Sequence, residues 1–550
     1  MFPGAAGSFP DCFAGARPAM SPLTHSLVYL VAGADPGEGR DLQRQAAQAA
    51  LEAGLTRAIE AEGGHVRRAH AFHPEKGNGF IDSQRQGMAV FRDIPKEAPV
   101  VVAVGSASCS HPLLIGLTAH RGPILTVADE NDPAGQGGLL HLNGCLLQQG
   151  VPYATLWSGT FTDAGFVRQL RLWLAGGRVR QDAGHVVPWA HSRPPAAAAA
   201  LGAGFAREFR DRQHLLGVFD EGCLGRSNGI IPDPLLHAVG VFKERLSQAS
   251  LQARAAAVTD REAGAAYEGW AARGLRFAFG SSPATGLTKQ QVLLQAKVYI
   301  AAVRLADELG CVVLGLPDPA GRGGLLPATG LIEGTLNNAD RPAVHCEWTK
   351  KELFPGEAMP HGRGADECAA LDGLITALLW RHLGFAPENS FYSLRLGRPF
   401  HGAKREACLW SLGAEGAPPA HFIKGWKGAS SARQPGAPSG GGNLWGSGRP
   451  GWMVWSRVFV ANDALHYDAG LAESVVLSAK ERENRPPDPE GTILHAVFPG
   501  ISLGQMMARH PADGLQIAFA PDKAAAKKAL HAKAAAMWEL GLQVSLCGAV

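Results

Sequence analysis

Two carboxylates, Asp366 and Glu367, stand side by side in "HGRGADECAALDGLITALLW", where a Gly-rich loop runs into an apolar helix. Residue chemistry alone leaves two readings open. Acids there favour the positive end of the helix, by roughly 0.3–1 kcal/mol each. Alternatively they hold a ligand, since a hard divalent ion bound by carboxylates polarises neighbouring oxygens. A second group sits in "HFIKGWKGASSARQPG", which sets Lys424, Lys427 and Arg433 around Trp426. Solvated surface charge is one reading. The other is a sugar with an anionic substituent, its face on the indole and its phosphate, carboxylate or sulfonate on the cations. In "GVFDEGCLGRSNGIIPD", Asp220 and Glu221 close a strand, and Arg226, Ser227 and Asn228 follow in a turn. The chain contains no P-loop or H-E-x-x-H pattern. Cys109 has no base beside it in sequence and is expected to be a buried thiol.

The elements that must position these residues follow from periodicity. From Ser26 onward, strands ("SLVYLVAG", "PVVVAVGSAS", "PILTVA", "VPYATLWS") alternate with helices over 39–62 and 161–175. That pattern predicts a parallel sheet wound on both faces, a flavodoxin-like or Rossmann-like domain over 25–180. "VAVGSASCS" ends one strand without G-x-G-x-x-G. The run "RPPAAAAALGAG", 193–204, reads as a connection with little reason to pack. A second α/β domain is predicted over 205–345. It has strands "HLLGVFDEG" and "CVVLGLPD", and long helices over "VFKERLSQASLQARAAAV" and over 288–309, the latter stopped by Gly310. From 346 to 550, Gly and Pro are dense and strands such as "WMVWSRVFVAND" and "ESVVLSAKE" predominate, with few helices until 522–541. A mostly β third domain, sandwich or barrel, is expected there.

The composition sets bounds on function. With 550 residues, 46% apolar and 18% charged, the chain can fill several cores. A net charge of +3 gives no global reason to expect nucleic acid. No stretch reaches the ~20 apolar residues that span a bilayer, so no membrane partner is expected. Nine scattered cysteines without a C-x-x-C pair fit a reducing cytoplasm. The opening segment, broken by Pro and Gly, reads as a loose extension and not as a signal peptide.

Taken in order, "GVFDEGCLGRSNGIIPD", "LIEGTLNNADRP", "DECAALDGLI", "GAPPAHF" and "MMARHPADGLQIAFAPD" resemble the L-fucose isomerase and L-arabinose isomerase superfamily, closest to its fucose isomerase branch. "WSGTFTDAGFVRQLRLWLAGG" fits the first domain of that branch. The resemblance covers roughly 25–550. It implies two Rossmann-like α/β domains, a C-terminal domain with a barrel, a homohexamer, and interconversion of an aldose and its ketose through a Mn2+-stabilised ene-diol. It makes Glu367 the family's glutamate ligand and acid/base group, six residues before Gly373. The family's aspartate falls on Ser393 and its histidine on Asp513, with His510 three residues earlier, so Asp513 or His510 would complete a metal site and Asp513 would share in catalysis. Glu388 and Asp366 are the other carboxylates near enough in sequence to take the missing place. Arg226, Ser227, Asn228 and Ser393 would face sugar hydroxyls, beside Trp426, Lys424 and Arg433. Two rivals stand beside this reading: a metal-independent carbohydrate lyase or epimerase, and a sugar-binding protein without catalysis.

Overall fold

The computed structural model describes residues 27–35, 44–219, 227–282, 286–316, 326–400, 407–414, 417–434, 439–478, 481, 493–512 and 514–550. The chain forms two compact units, the first running to Asp182 and the second holding most of the chain from Ala183 on. Among the described residues, no helix is long and apolar enough to cross a membrane.

The first unit is a five-stranded parallel sheet. Its spatial order is His65–Arg68, Leu27–Val31, Val100–Val104, Ile124–Asp129, Ala154–Ser158. This is the flavodoxin-like winding expected from the alternation of strands and helices. Every residue of Val100–Val104 is buried, as an unbroken apolar run must be in a central strand covered on both faces. Of the helix expected over 39–62, the described part is Gln45–Ala61. Cys109 is buried, 1% exposed.

The second unit opens with a smaller parallel sheet in which His214–Phe219 lies between Cys311–Gly315 and Val241–Leu246. Two sequence expectations are corrected here. The run "VFKERLSQASLQARAAAV" is not one helix. Val241–Leu246 pairs as a strand, Ser247 then caps with its side chain accepting from the Ala249 N–H, and only Gln248–Ala257 is helical. Helix-forming residues gave way to a pairing made far along the chain, which local propensity cannot register. The run 193–204 is likewise no loose connection. Most of it lies in the helix Ala196–Arg212, which packs on the helix Lys523–Glu539. A Cβ on Gly202 would lie 2.1 Å from the Ala532 carbonyl oxygen, so the glycine is what lets the two backbones meet. The helix Lys289–Leu309 follows expectation, with a capping box from Thr288 and Gln291 and Gly310 left-handed at φ +74°.

Strands recur through the remaining chain, beside the helices Glu367–His382 and Lys523–Glu539. An eight-stranded sheet runs Gly451–Ala461, Gly514–Phe519, Asn389–Phe400, Ala407–Gly413, Ile493–Val497, Ala464–Val475, Gln543–Cys547, Val186–Pro188. Gly451–Ala461 also pairs with Ala464–Val475, so the first six strands close a ring of hydrogen bonds. Asn462 and Asp463, both at positive φ (49° and 56°), make the hairpin turn, the residue types that tolerate this backbone best after glycine.

The helix Glu367–His382 is buried on every side through its first eleven residues, Glu367 to Ala377. A helix apolar all round belongs in a core. Leu371, Leu374, Ile375 and Trp380 share one apolar cluster with Phe205, Leu216, Tyr467 and Leu530. The stretches expected as second and third domains both contribute to this cluster.

Candidate functional site

The loop before this helix is held against a strand end. Gly362 N–H donates to Leu314 O at 2.8 Å, Leu314 N–H to Pro360 O at 3.2 Å, and Ala365 N–H to Leu316 O at 2.8 Å. Leu314 lies near the carboxyl end of Cys311–Gly315, the side of a parallel sheet where ligands bind. The turn is tight: Gly364 and Ala365 sit at φ +56° and +57°, and a Cβ on Gly362 would come 2.1 Å from the Asp366 carbonyl oxygen. A non-glycine residue at positive φ stores strain of order 1 kcal/mol or more, here at Ala365.

The acidic pair divides its work. Asp366 caps the helix: Oδ1 accepts from the Ala369 N–H at 2.7 Å, and Oδ2 accepts from Arg457 Nη1 at 2.9 Å. Glu367 turns instead toward the segment after the turn Ser227–Gly229. Its Oε2 accepts from the Ile231 N–H at 2.7 Å and from Lys243 Nζ at 2.7 Å. Lys243 also donates to Ile231 O at 2.5 Å and lies 3.0 Å from Asp233 Oδ1. Glu367 is 4% exposed. Burial pushes its carboxyl above the ordinary range, opposed by the Lys243 and Ile231 hydrogen bonds. Asp233 moves the other way, held down first by its hydrogen bond with Lys243.

A second charged group sits on the same loop. Glu333, fully buried on the helix Gly330–Leu336, accepts from Arg363 Nη1 at 3.2 Å, and His361 Nε2 lies 4.0 Å from the same oxygen. Desolvation lowers the His361 pKa to about 3, so the ring is neutral at pH 7.

Asn228 joins the Glu367 neighbourhood: its carbonyl oxygen accepts from Cys368 Sγ at 3.6 Å. Ser227 precedes it in the same turn, while Arg226 lies outside the described residues. Ser393 is buried on Asn389–Phe400, opposite Gly514. Two residues before it, the Phe391 ring carries the Arg457 guanidinium at 5.4 Å, which in turn binds Asp366. Glu388 is buried with Oε1 accepting from the Ala339 N–H at 3.2 Å, and burial raises its pKa. Trp426 is 4% exposed and belongs to another apolar cluster, its indole N–H donating to Asp340 Oδ1 at 2.9 Å. Its ring is therefore a core ring and not an open platform. Lys424 and Lys427 beside it are exposed, and Arg433 is half-buried on Ser430–Arg433. His510 is buried in a short stretch that groups with the first unit. Asp513 lies outside the described residues.

Among the described residues, no group of three or more His, Cys, Asp or Glu is arranged to hold a metal. Position 393 offers a neutral hydroxyl, and Oε2 of Glu367 is taken by an ammonium. The described residues do not fit a manganese site.

No family model and no curated protein matches the chain.

Lys243 escaped the sequence reading because it had been placed on a helix. The run Val241–Leu246 has no alternation of apolar and polar residues that would mark it as a strand.

Proposed function

We propose that the chain is a carbohydrate-converting enzyme of the fucose isomerase type, interconverting an aldose and its ketose through an ene-diol. What carries this reading is Glu367: a buried carboxylate at the carboxyl edge of a parallel sheet, with its pKa raised by burial and Lys243 as a cationic partner. A carboxyl so tuned suits general acid/base work, where a pKa nearer the working pH favours both taking and returning a proton. The ordered motifs around it support the carbohydrate class. Asn228 and Ser393 are the polar groups suited to sugar hydroxyls, and the exposed Lys424 and Lys427 suit an anionic substituent at the rim. We further infer that the six-strand ring is a barrel, and that the protein works as a cytoplasmic homohexamer, as the resemblance implies. A second reading, epimerisation or elimination without an ion, is favoured by the Lys243 contact. Incubating the purified chain with neutral and 6-anionic aldoses and identifying the products separates these reactions. Absence of turnover on every aldose and ketose offered would leave a sugar-binding protein.

A further inference from the structure

We propose that the cation of this site is the ammonium of Lys243, and that the site operates without a divalent ion. This rests on the reading of Glu367 as the proton-transferring carboxylate. Lys243 Nζ and the Ile231 N–H both lie 2.7 Å from the same oxygen, Oε2 of Glu367. An ion seated there would bind that oxygen at about 2.0–2.6 Å, in the space the ammonium fills and against its charge. Lys243 is also fixed in place. Its side chain is 5% exposed, and its three N–H groups have three acceptors, Glu367 Oε2, Asp233 Oδ1 at 3.0 Å and Ile231 O at 2.5 Å. Asp233 is balanced from the far side by Arg245 at 2.9 Å.

The charges agree with this placement. Two carboxylates balance a divalent ion. Here position 393 carries the neutral hydroxyl of Ser393, Asp366 is engaged by Arg457, and the ammonium of Lys243 balances Glu367. Removing that ammonium would leave a buried carboxylate unmatched. In the reaction, Glu367 removes the proton on C2. The C–H electron pair forms the C1=C2 bond, and the carbonyl pair moves onto O1, which takes a proton from water. On return, the hydroxide so formed recovers the proton of the O2 hydroxyl, the O2 pair forms the C2 carbonyl, and C1 receives the proton held by Glu367. The C2–H and O2–H bonds are exchanged for C1–H and O1–H, with no oxidant required.

The test reads metal binding and is independent of turnover. The full chain, purified from manganese-supplemented growth, is measured for bound metal and titrated with Mn2+ by calorimetry beside Glu367→Gln and Lys243→Ala. The wild type should carry well below one ion per chain and show no saturable heat that depends on Glu367. Lys243→Ala, if folded by circular dichroism, should bind Mn2+ at least tenfold more tightly than the wild type, and an unchanged affinity would count against the ammonium as the occupant. Stoichiometric Mn2+ on the wild type that is lost in Glu367→Gln would overturn the proposal, whether or not Lys243→Ala folds. Should no sugar be turned over, the isomerase reading fails while this result stands on its own.

Discussion

One helix carries two lysine–carboxylate pairs, and they are built for different ends. Further along Glu367–His382, Asp372 binds Lys533, whose ammonium also donates to Thr376 at 2.6 Å and Ser456 at 2.8 Å. Ser456 reaches both Asp372 oxygens at 3.0 and 2.9 Å, and Asp372, Thr376, Ser456 and Lys533 are each at most 1% exposed. The rings of Tyr467 and Trp380 lie 5.5 and 6.0 Å from the ammonium. Lys243 instead shares its charge with a second carboxylate, Asp233, whose side chain is 35% exposed and leads outward to Arg245, 60% exposed. The sealed pair ties the helix to Ser456 and Lys533. The other pair joins a buried carboxyl to a chain of groups that reaches water, which is what proton exchange requires.

The strongest way to break the comparison is Glu367→Gln, which keeps the shape and removes the basicity. Turnover should fall about 100- to 10,000-fold, with the loss in kcat, since the interaction strengthens in the transition state. A melting temperature shifted with turnover intact would reduce both pairs to structural pins. Next in size is Lys533→Met, which leaves Asp372 buried and unpaired and should lower unfolding stability by about 3–5 kcal/mol in urea titration. Lys533→Met joined to Asp372→Leu should recover most of that. Lys243→Met should destabilise less, because Asp233 and solvent relax around the gap; equal losses would erase the distinction. Smaller again, Lys424→Ala with Arg433→Ala should cut the preference for a 6-anionic over a neutral aldose roughly tenfold, about 1.4 kcal/mol, in kcat/KM ratios; an unchanged ratio removes the anion from the substrate reading.

Least in size, the two carboxylates around Lys243 have opposite pH signatures. Glu367, raised, takes up a proton on folding, so its contribution favours the fold below the ordinary glutamate pKa and is lost as pH rises through the raised value. Asp233, lowered, contributes above the ordinary aspartate pKa and loses that contribution as pH falls through its depressed one. Melting curves of Glu367→Gln should be flatter on the rising side, and those of Asp233→Asn flatter on the acid side by about 1 kcal/mol or less, given solvent screening.

Local signals carried much of this. The alternation of strands and helices before 180, the helix ended by Gly310, and the acids ahead of a buried helix are all encoded within a few residues of where they act. Lys243, Arg457 and Lys533 were not legible, because each acquires its meaning from a partner more than 75 residues away, 124 for Lys243 and Glu367, 91 for Arg457 and Asp366, 161 for Lys533 and Asp372. Trp426 misled in the opposite direction: the lysines around it in sequence are exposed, while its own ring is claimed by a core that includes Trp270, Tyr299 and Leu444. The alanine run after Pro195 is ambiguous by composition, since small residues suit a linker and a close helix contact equally well.

The eight-stranded sheet also bears on how copies of the chain avoid one another. Seven of its strands find partners on both sides, and beyond them the order ends in Val186–Pro188, three residues long. Proline has no N–H to offer a neighbouring strand, and so short an edge gives an incoming chain little to pair with. Lengthening that edge, by Pro188→Val with Trp189→Thr, would furnish a longer template for strand addition. Light scattering on warming would then rise at lower temperature than for the parent, with turnover per folded molecule unaltered.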